Sequence, residues 1–261
     1  MPGPRFDTRP ALVLLALLVV PALSPQSAPP APAGALPAKG ALDYNVEWRL
    51  IDAGKAKLTW SATAGSRPGS ELHLHLESTG LVSRLYKVND DYMADLTSAL
   101  CVRDTHLNAH EGSRNRETAV HFDSETKKAS YLERDMQTHA VVLAKETDIP
   151  ACIHDVIGGL FFLRTLSLEP GRSIEIPVSD GKKTVAAKVA ALGRESIKVP
   201  AGTYKTIRYE AFLFSNVLYR RDGHLYFWLT DDGRKLPVRI QVRLQFAIGT
   251  ITFQLEKEET T

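Results

Sequence analysis

Eight histidines offer the first possible chemistry, because imidazoles presented by neighbouring strands can converge on a zinc ion. His73 and His75 share one face of the alternating run ELHLHLES, and His106 and His110 can share another. The His73 face also carries Glu71 and Glu77, which is the composition of a solvated strand face. No tight His, Asp, Glu or Cys spacing completes a ligand set, so neither a metal site nor a cofactor is expected. Nucleophile motifs are equally thin. The chain has no Gly-x-Ser-x-Gly, and its Ser-x-x-Lys, Ser124 to Lys127, falls in an expected hairpin turn and not at a helix start. His154-Asp155 has the residue types of a general-base pair, but Asp155 is better placed to cap a helix. Asp90-Asp91 and Asp231-Asp232 are adjacent, and adjacent strand residues point to opposite faces, so they do not flank one bond. No catalytic residue is assigned.

The two cysteines, Cys101 and Cys152, acquire a meaning from the N-terminus. Arg5 and Arg9 precede the apolar run Ala11 to Val20, and small residues follow at Ala22, Ser24, Ser27 and Ala28. This is the layout of a secretory signal, expected over residues 1–28. The run stops at Leu23, short of the roughly 20 residues of a spanning helix, and no cysteine follows it for lipid attachment. After cleavage the protein is expected to be exported to the periplasm and not to span the membrane. In an oxidising compartment an even pair of cysteines is most simply a disulfide, here closing a loop of about 50 residues. Residues 29–41 are rich in proline and alanine and are expected as a flexible linker. Residues 42–261 then form one domain. Removing residues 1–39 takes away Arg5, Arg9 and Lys39 against Asp7, which cancels the formal charge of +2. A neutral domain argues against nucleic acid as a partner.

Period-two alternation dominates this domain. Leu72, Leu74 and Leu76 face one way and His73, His75 and Glu77 the other; Tyr44, Val46 and Trp48 alternate likewise. Asp52-Ala53-Gly54 is expected to turn the first hairpin, and Glu111-Gly112, Asp180-Gly181, Ala201-Gly202, Asp222-Gly223 and Asp231 to Gly233 to turn later ones. Strands are expected from Tyr86 to Asp95 and over Leu218 to Arg221, among others. One helix breaks the pattern, capped by Asp155 and running toward Pro170-Gly171, with Gly158-Gly159 inside it implying a close contact. The fold class expected is all-β and mainly antiparallel, a closed or half-open barrel-like meander with one short helix near the middle plugging one opening. Charges on both faces of AKVAALGRESIKV and VRIQVRLQF argue against a membrane-spanning barrel.

The segments LDYNVEWRLIDAGKAKLTW, STGLVSRLYKVNDDY, IPACIHDVIGGLFFLRTLSLEPG, KVPAGTYKTIRYE and YFWLTDDGRKLPVRIQV resemble successive blocks of the bacterial envelope family catalogued as domain of unknown function 3108. The resemblance spans most of residues 42–256. It implies an exported β-rich protein, with cysteines at the positions of Cys101 and Cys152 that support the bridge, and it transfers no catalytic residue. WLTDDGRKLPVRI is also similar to half-open β-barrel carriers that move lipoproteins across the periplasm, a likeness of architecture only.

Aromatic residues stand out where chemistry does not. Trp48, Trp60, Tyr86, Phe161, Phe162, Tyr226 and Trp228, with Tyr92, Phe212 and Phe214, are candidates for a barrel interior. A packed core and a ligand pocket would use the same residues, the pocket adding Arg84, Lys87 or Arg164 to orient a polar head. The reading is a non-enzymatic envelope protein that binds an apolar, amphipathic or lipid-like envelope ligand, or an envelope partner protein at a sheet edge. The alternatives are a structural or assembly factor with no pocket, and a hydrolase acting on envelope polymers.

Overall fold

The computed structural model describes residues 31–32, 37–245 and 249–260, with the backbone alone at 31, 32 and 260. The expected signal segment and most of the expected linker lie outside these residues. Ala31–Pro32 (β1) forms a short ladder with Leu166–Ser167 (β10), and the first long strand begins at Lys39, inside the stretch expected as linker.

Fourteen strands make one antiparallel sheet. Its first half is a meander of β2 (Lys39–Trp48), β3 (Ile51–Thr63), β4 (Gly69–Ser78), β5 (Val88–Thr97), β6 (Val102–Glu111), β7 (Arg114–Asp123), β8 (Lys128–Asp135) and β9 (Val141–Asp148). The second half is β11 (Ser173–Ser179), β12 (Thr184–Val199), β13 (Gly202–Ala211), β14 (Gly223–Thr230), β15 (Pro237–Leu244) and β16 (Thr250–Thr260). The last strand, β16, pairs with β2 and joins the halves, leaving β9 and β11 as the outer strands. The sheet does not close into a ladder. Its margins meet through side chains, with Lys145 Nζ and Thr147 Oγ1 both donating to the Lys182 carbonyl (2.5 and 3.2 Å). Gly181, at φ +82°, makes that approach possible, since a Cβ there would lie 2.6 Å from Val120 Cγ1. The expected barrel-like meander is thus half-open.

Alternate connections fall at opposite ends of the sheet. One end, here the closed end, holds the β5–β6 and β14–β15 turns and is filled by α2 (Val156–Arg164). The other, the rim, holds the β2–β3 turn, the β6–β7 turn, the β13–β14 loop and a short helix α1 (Gly80–Leu85) that the sequence did not announce. The expected turn at Asp52 to Gly54 lies elsewhere. Arg49 and Leu50 take it at φ 51° and 69°, and Asp52 to Gly54 continue β3 through a bulge. β5 begins at Val88 and not at the expected Tyr86, which caps α1 with its N–H on the Val82 carbonyl at 2.7 Å; β4 ends opposite Gly54 and the chain folds back on β3, Thr79 N–H donating to the Ala53 carbonyl at 2.8 Å. Leu218 to Arg221, expected as a strand, belongs to a loop over 212–222 in which Ser215 and Asn216 have positive φ. α2 stops at Thr165, short of Pro170, where the Thr165 hydroxyl donates to the Phe162 carbonyl at 2.7 Å.

Cys101 and Cys152 form a disulfide, Cα to Cα 5.1 Å, between the β5–β6 turn and the segment that leads into α2. Beside it Val102 N–H donates to the Ile153 carbonyl at 2.8 Å. On the chain-entropy model, closing this loop contributes roughly 4 kcal/mol. Replacing both cysteines by serine is therefore expected to lower the melting temperature of the oxidised protein by about 10 °C at about 2–4 °C per kcal/mol. Scanning calorimetry of the two forms checks this, and equal melting temperatures would remove the bridge from the account.

Candidate functional site

The inner face of the sheet is apolar except toward β9, where Arg116, Glu133 and Asp135 form an ion-paired set on it, and along β4, β5 and β14 to β16 burial falls from the closed end to the rim. Leu72 is fully buried while Leu74 and Leu76 are half-buried; Leu96 and Ala94 give way to Tyr92, Val238 to Ile240 and Val242, Leu255 to Phe253 and Ile251, and Leu229 to Leu225. The interior is filled at one end and hollow toward the other. A cavity of about 280 Å³ lies in the hollow. α2 roofs it with Val156, Ile157, Gly159, Leu160 and Leu163, strands β2–β4 supply Tyr44, Ala56, Leu58 and Leu74, and β11–β13 supply Ile176, Val178, Ala187, Val189 and Ala211. Leu225, Phe227, Ile240, Val242 and Phe253 complete the wall, and Leu213, Phe214 and Tyr219 of the 212–222 loop close one side. None of these side chains is charged. The Tyr44 hydroxyl is spent on the Pro237 carbonyl at 2.7 Å, and burial pushes its phenol well up.

α2 needs outside support, because two adjacent glycines weaken a nine-residue helix. At its start the Asp155 carboxylate accepts from Ile157 N–H (2.9 Å), Gly158 N–H (3.1 Å) and the Tyr92 hydroxyl (2.7 Å). Burial raises the Asp155 pKa against these three donors, and burial likewise raises that of Tyr92. His154 Nδ1 donates to the Leu100 carbonyl at 2.8 Å, the ring stacks on Phe162 with centroids 4.6 Å apart, and burial lowers its pKa. A neutral ring is what this packing favours. At the other end Arg164, only 2 % exposed, donates from Nε to the Lys235 carbonyl at 3.1 Å and lies over Trp60 and Phe161 at 5.2 and 5.0 Å. Burial pushes its pKa down to about 10, with Tyr44 and Glu258 opposing, so the guanidinium stays charged.

A family model described as Protein of unknown function (DUF3108) matches residues 43–256. The chain belongs to the DUF3108 family. The family carries no assigned activity in that description. Among solved structures, the beta-barrel-like DUF1849 protein of Brucella abortus is similar at 7 % identity and a TM-score of 0.53, over 87 % of this chain and 99 % of that one. A protein with a YmcC-like fold from Bacteroides fragilis is similar at 9 % identity and a TM-score of 0.36, over 88 % of this chain and 100 % of that one. At these identities the likeness to DUF1849 is one of fold. No curated protein matches the chain.

Within this DUF3108 domain the residues singled out from sequence scatter. Trp60 and Phe161 pack edge to face at 5.4 Å in the core at the closed end, and Trp60 Nε1 donates to the Pro37 carbonyl at 2.9 Å. Trp48 ends β2 at the rim beneath Arg49. Phe162 faces His154. Tyr226 and Trp228 lie on the face of β14 opposite the cavity-lining Leu225 and Phe227; Trp228 Nε1 donates to Glu195 Oε1 at 2.9 Å, under Arg239. Arg84, Tyr86 and Lys87 are exposed at the rim, and Phe212 is exposed on its loop. Of these candidates Phe214 lines the cavity. The true lining is mostly aliphatic, and its signal was the same alternation that gave the strands. The histidines sit with polar neighbours: His73 by Glu71 (2.6 Å), His75 by Asp91 (2.7 Å), His106 by Glu117 (3.1 Å) and His110 by Asn115 (2.7 Å).

The paired glycines have different duties. A Cβ on Gly158 would lie 2.4 Å from Asp155 Oδ1 and 3.3 Å from Leu96, whereas one on Gly159 meets Val178 and His154 at ordinary distances of 3.7 and 3.8 Å. Gly159→Ala is expected to stabilise the fold by up to about 1 kcal/mol through helix propensity. Gly158→Ala is expected to destabilise it by about 1–3 kcal/mol through the displaced cap. Urea denaturation of both variants checks the contrast; equal effects would contradict the capping geometry.

Proposed function

We propose that this DUF3108 protein is an exported, non-enzymatic envelope protein that holds one apolar chain of an amphipathic molecule in the half-barrel beneath α2. The observation that carries the reading is the cavity itself, about 280 Å³, without a charged side chain in its wall and with burial falling toward one mouth. Small-molecule sites are concave and mostly apolar in this way. An apolar cavity of about 150 Å³ takes one benzene, so this one has room for roughly a dozen carbon atoms. That suits a single alkyl or acyl chain with its polar end at the mouth. Periplasmic location follows in this reading from the N-terminal segment and from a disulfide that needs oxidising surroundings. The DUF3108 match and the beta-barrel-like neighbour are compatible with it.

A second reading, capture of a partner's strand, draws on β9. Among the described residues it pairs with β8 alone, and it exposes Val141, Val142 and Leu143.

Titration of an environment-sensitive apolar fluorophore, with displacement by free fatty acids of increasing length, separates the two. The wild-type protein is expected to bind the probe in the micromolar range. Ala211→Phe and, separately, Ala187→Leu place new atoms in the cavity and are expected to weaken binding at least about ten-fold, equivalent to 1.4 kcal/mol, with the melting temperature kept. No probe binding, or unchanged binding in both folded variants, would overturn the cavity reading and leave the strand-capture one.

A further inference from the structure

The exposed large apolar side chains are not spread evenly. Leu50 (91 % exposed), Ile51, Leu81, Leu85 (72 %) and Tyr86 all lie at the rim, on the β2–β3 turn and on α1, two segments that touch through Thr79 and Ala53. Scattered surface leucines need no explanation, but a cluster at one end of a fold does. α1 has no buried residue at all, so its apolar side chains serve no core. Gly112 sits against the Tyr86 ring, where a Cβ would come within 2.9 Å, so the aromatic is held in place on the surface.

Cations accompany these residues. Arg84 and Lys87 flank Leu85 and Tyr86, and Arg220 and Arg221 stand exposed on the β13–β14 loop at the same end of the sheet. Most carboxylates at this end are engaged: Glu111 faces Arg114 at 3.6 Å, Asp52 accepts from Asn45 at 2.8 Å, Glu47 from Gln254 at 2.6 Å and Asp90 from His110 N–H at 2.9 Å, and Asp91 lies by His75 at 2.7 Å, with Glu77 and Asp222 the further acidic residues. Protruding apolar side chains ringed by arginine and lysine match the boundary of a bilayer with anionic headgroups, where chains insert shallowly and cations meet phosphate. We propose that the rim is a peripheral docking surface for an anionic lipid bilayer, with Leu50, Ile51, Leu81, Leu85 and Tyr86 as the inserted side chains and Arg84 and Lys87 as the headgroup contacts. This is the end toward which β4, β5 and β14 to β16 lose their burial, so docking would turn the half-exposed side of the cavity to the lipid. The docking surface stands apart from the cavity reading and survives its failure.

The test is co-sedimentation of the protein, expressed in full and purified as its host processes it, with two kinds of vesicle. One contains phosphatidylglycerol with phosphatidylethanolamine, the other phosphatidylcholine alone. The protein is expected to pellet with the anionic vesicles, and less so when salt rises from about 0.1 M to about 1 M and screening tightens. Leu50→Ser with Leu85→Ser is expected to weaken the partition at least ten-fold. Arg84→Glu with Lys87→Glu is expected to weaken it by a factor of about five or more per cation removed. Melting temperature and fluorophore binding of all variants should match wild type, which separates this test from the cavity test. Wild-type protein that stays in the supernatant, or variants that pellet equally, would overturn the proposal. So would a dimer in solution that Leu85→Ser dissolves, which would assign the patch to a second copy of the chain.

Discussion

A sheet that curls without closing has to keep its apolar inner face from water, and everything else in this structure answers to that requirement. α2 is the answer at one end. A nine-residue helix with two glycines does not hold itself there, so it is fastened at both ends: by Asp155, Tyr92, His154 and the Cys101–Cys152 bridge where it begins, and by Arg164 where it stops. Burying the Arg164 charge is costly, and its Nη1 has no partner within the described residues. Trp60, Phe161 and the carbonyls of the β14–β15 turn offset part of that cost and fix where the helix lies. The hollow is what remains between a helix so fixed and strands too long for it to cover.

Much of this was legible in the residues. Alternation located most strands, the turn pairs from Glu111-Gly112 to Asp231–Gly233 fell in or beside connections, and Asp155 capped the expected helix. What was illegible had local causes. The first turn uses Arg49 and Leu50 at positive φ, and neither residue type announces that conformation, while Gly54 beside them serves a bulge: a Cβ there would strike the Glu77 carbonyl at 2.1 Å. α1 is six residues long with no buried face, so it has no apolar period to read. The aromatic candidates failed for a different reason. In β14 both phases are apolar, Leu225, Phe227 and Leu229 on one side and Tyr226 and Trp228 on the other, and only the fold decides which faces inward. The bulkier set went outward, where Glu195 and Arg239 engage Trp228.

The division of labour between the two ends links structure to function. The closed end concentrates the rigid features: fully buried leucines, the buried charge and the disulfide. The rim holds the longest hairpin connections, the 212–222 loop and the α1 segment, and most of the exposed apolar side chains. In the proposed function, a molecule with a hydrocarbon part would enter where the inner face is half-exposed and stop against α2. The 212–222 loop, held by Lys183 Nζ on the Asn216 carbonyl at 2.7 Å, contributes Phe214 and Tyr219 to that path and borders it on the β11 side. A purely structural protein would gain from filling this space, since each missing contact lowers stability.

Native mass spectrometry of the protein, expressed in full and purified without detergent, is the most direct test of an occupied cavity. An occupied cavity gives an added mass that survives gentle ionisation, disappears on denaturation and belongs to a molecule with one hydrocarbon chain. A chain that carries only its own mass in every charge state, from preparations in which lipids of the host remain abundant, would contradict it.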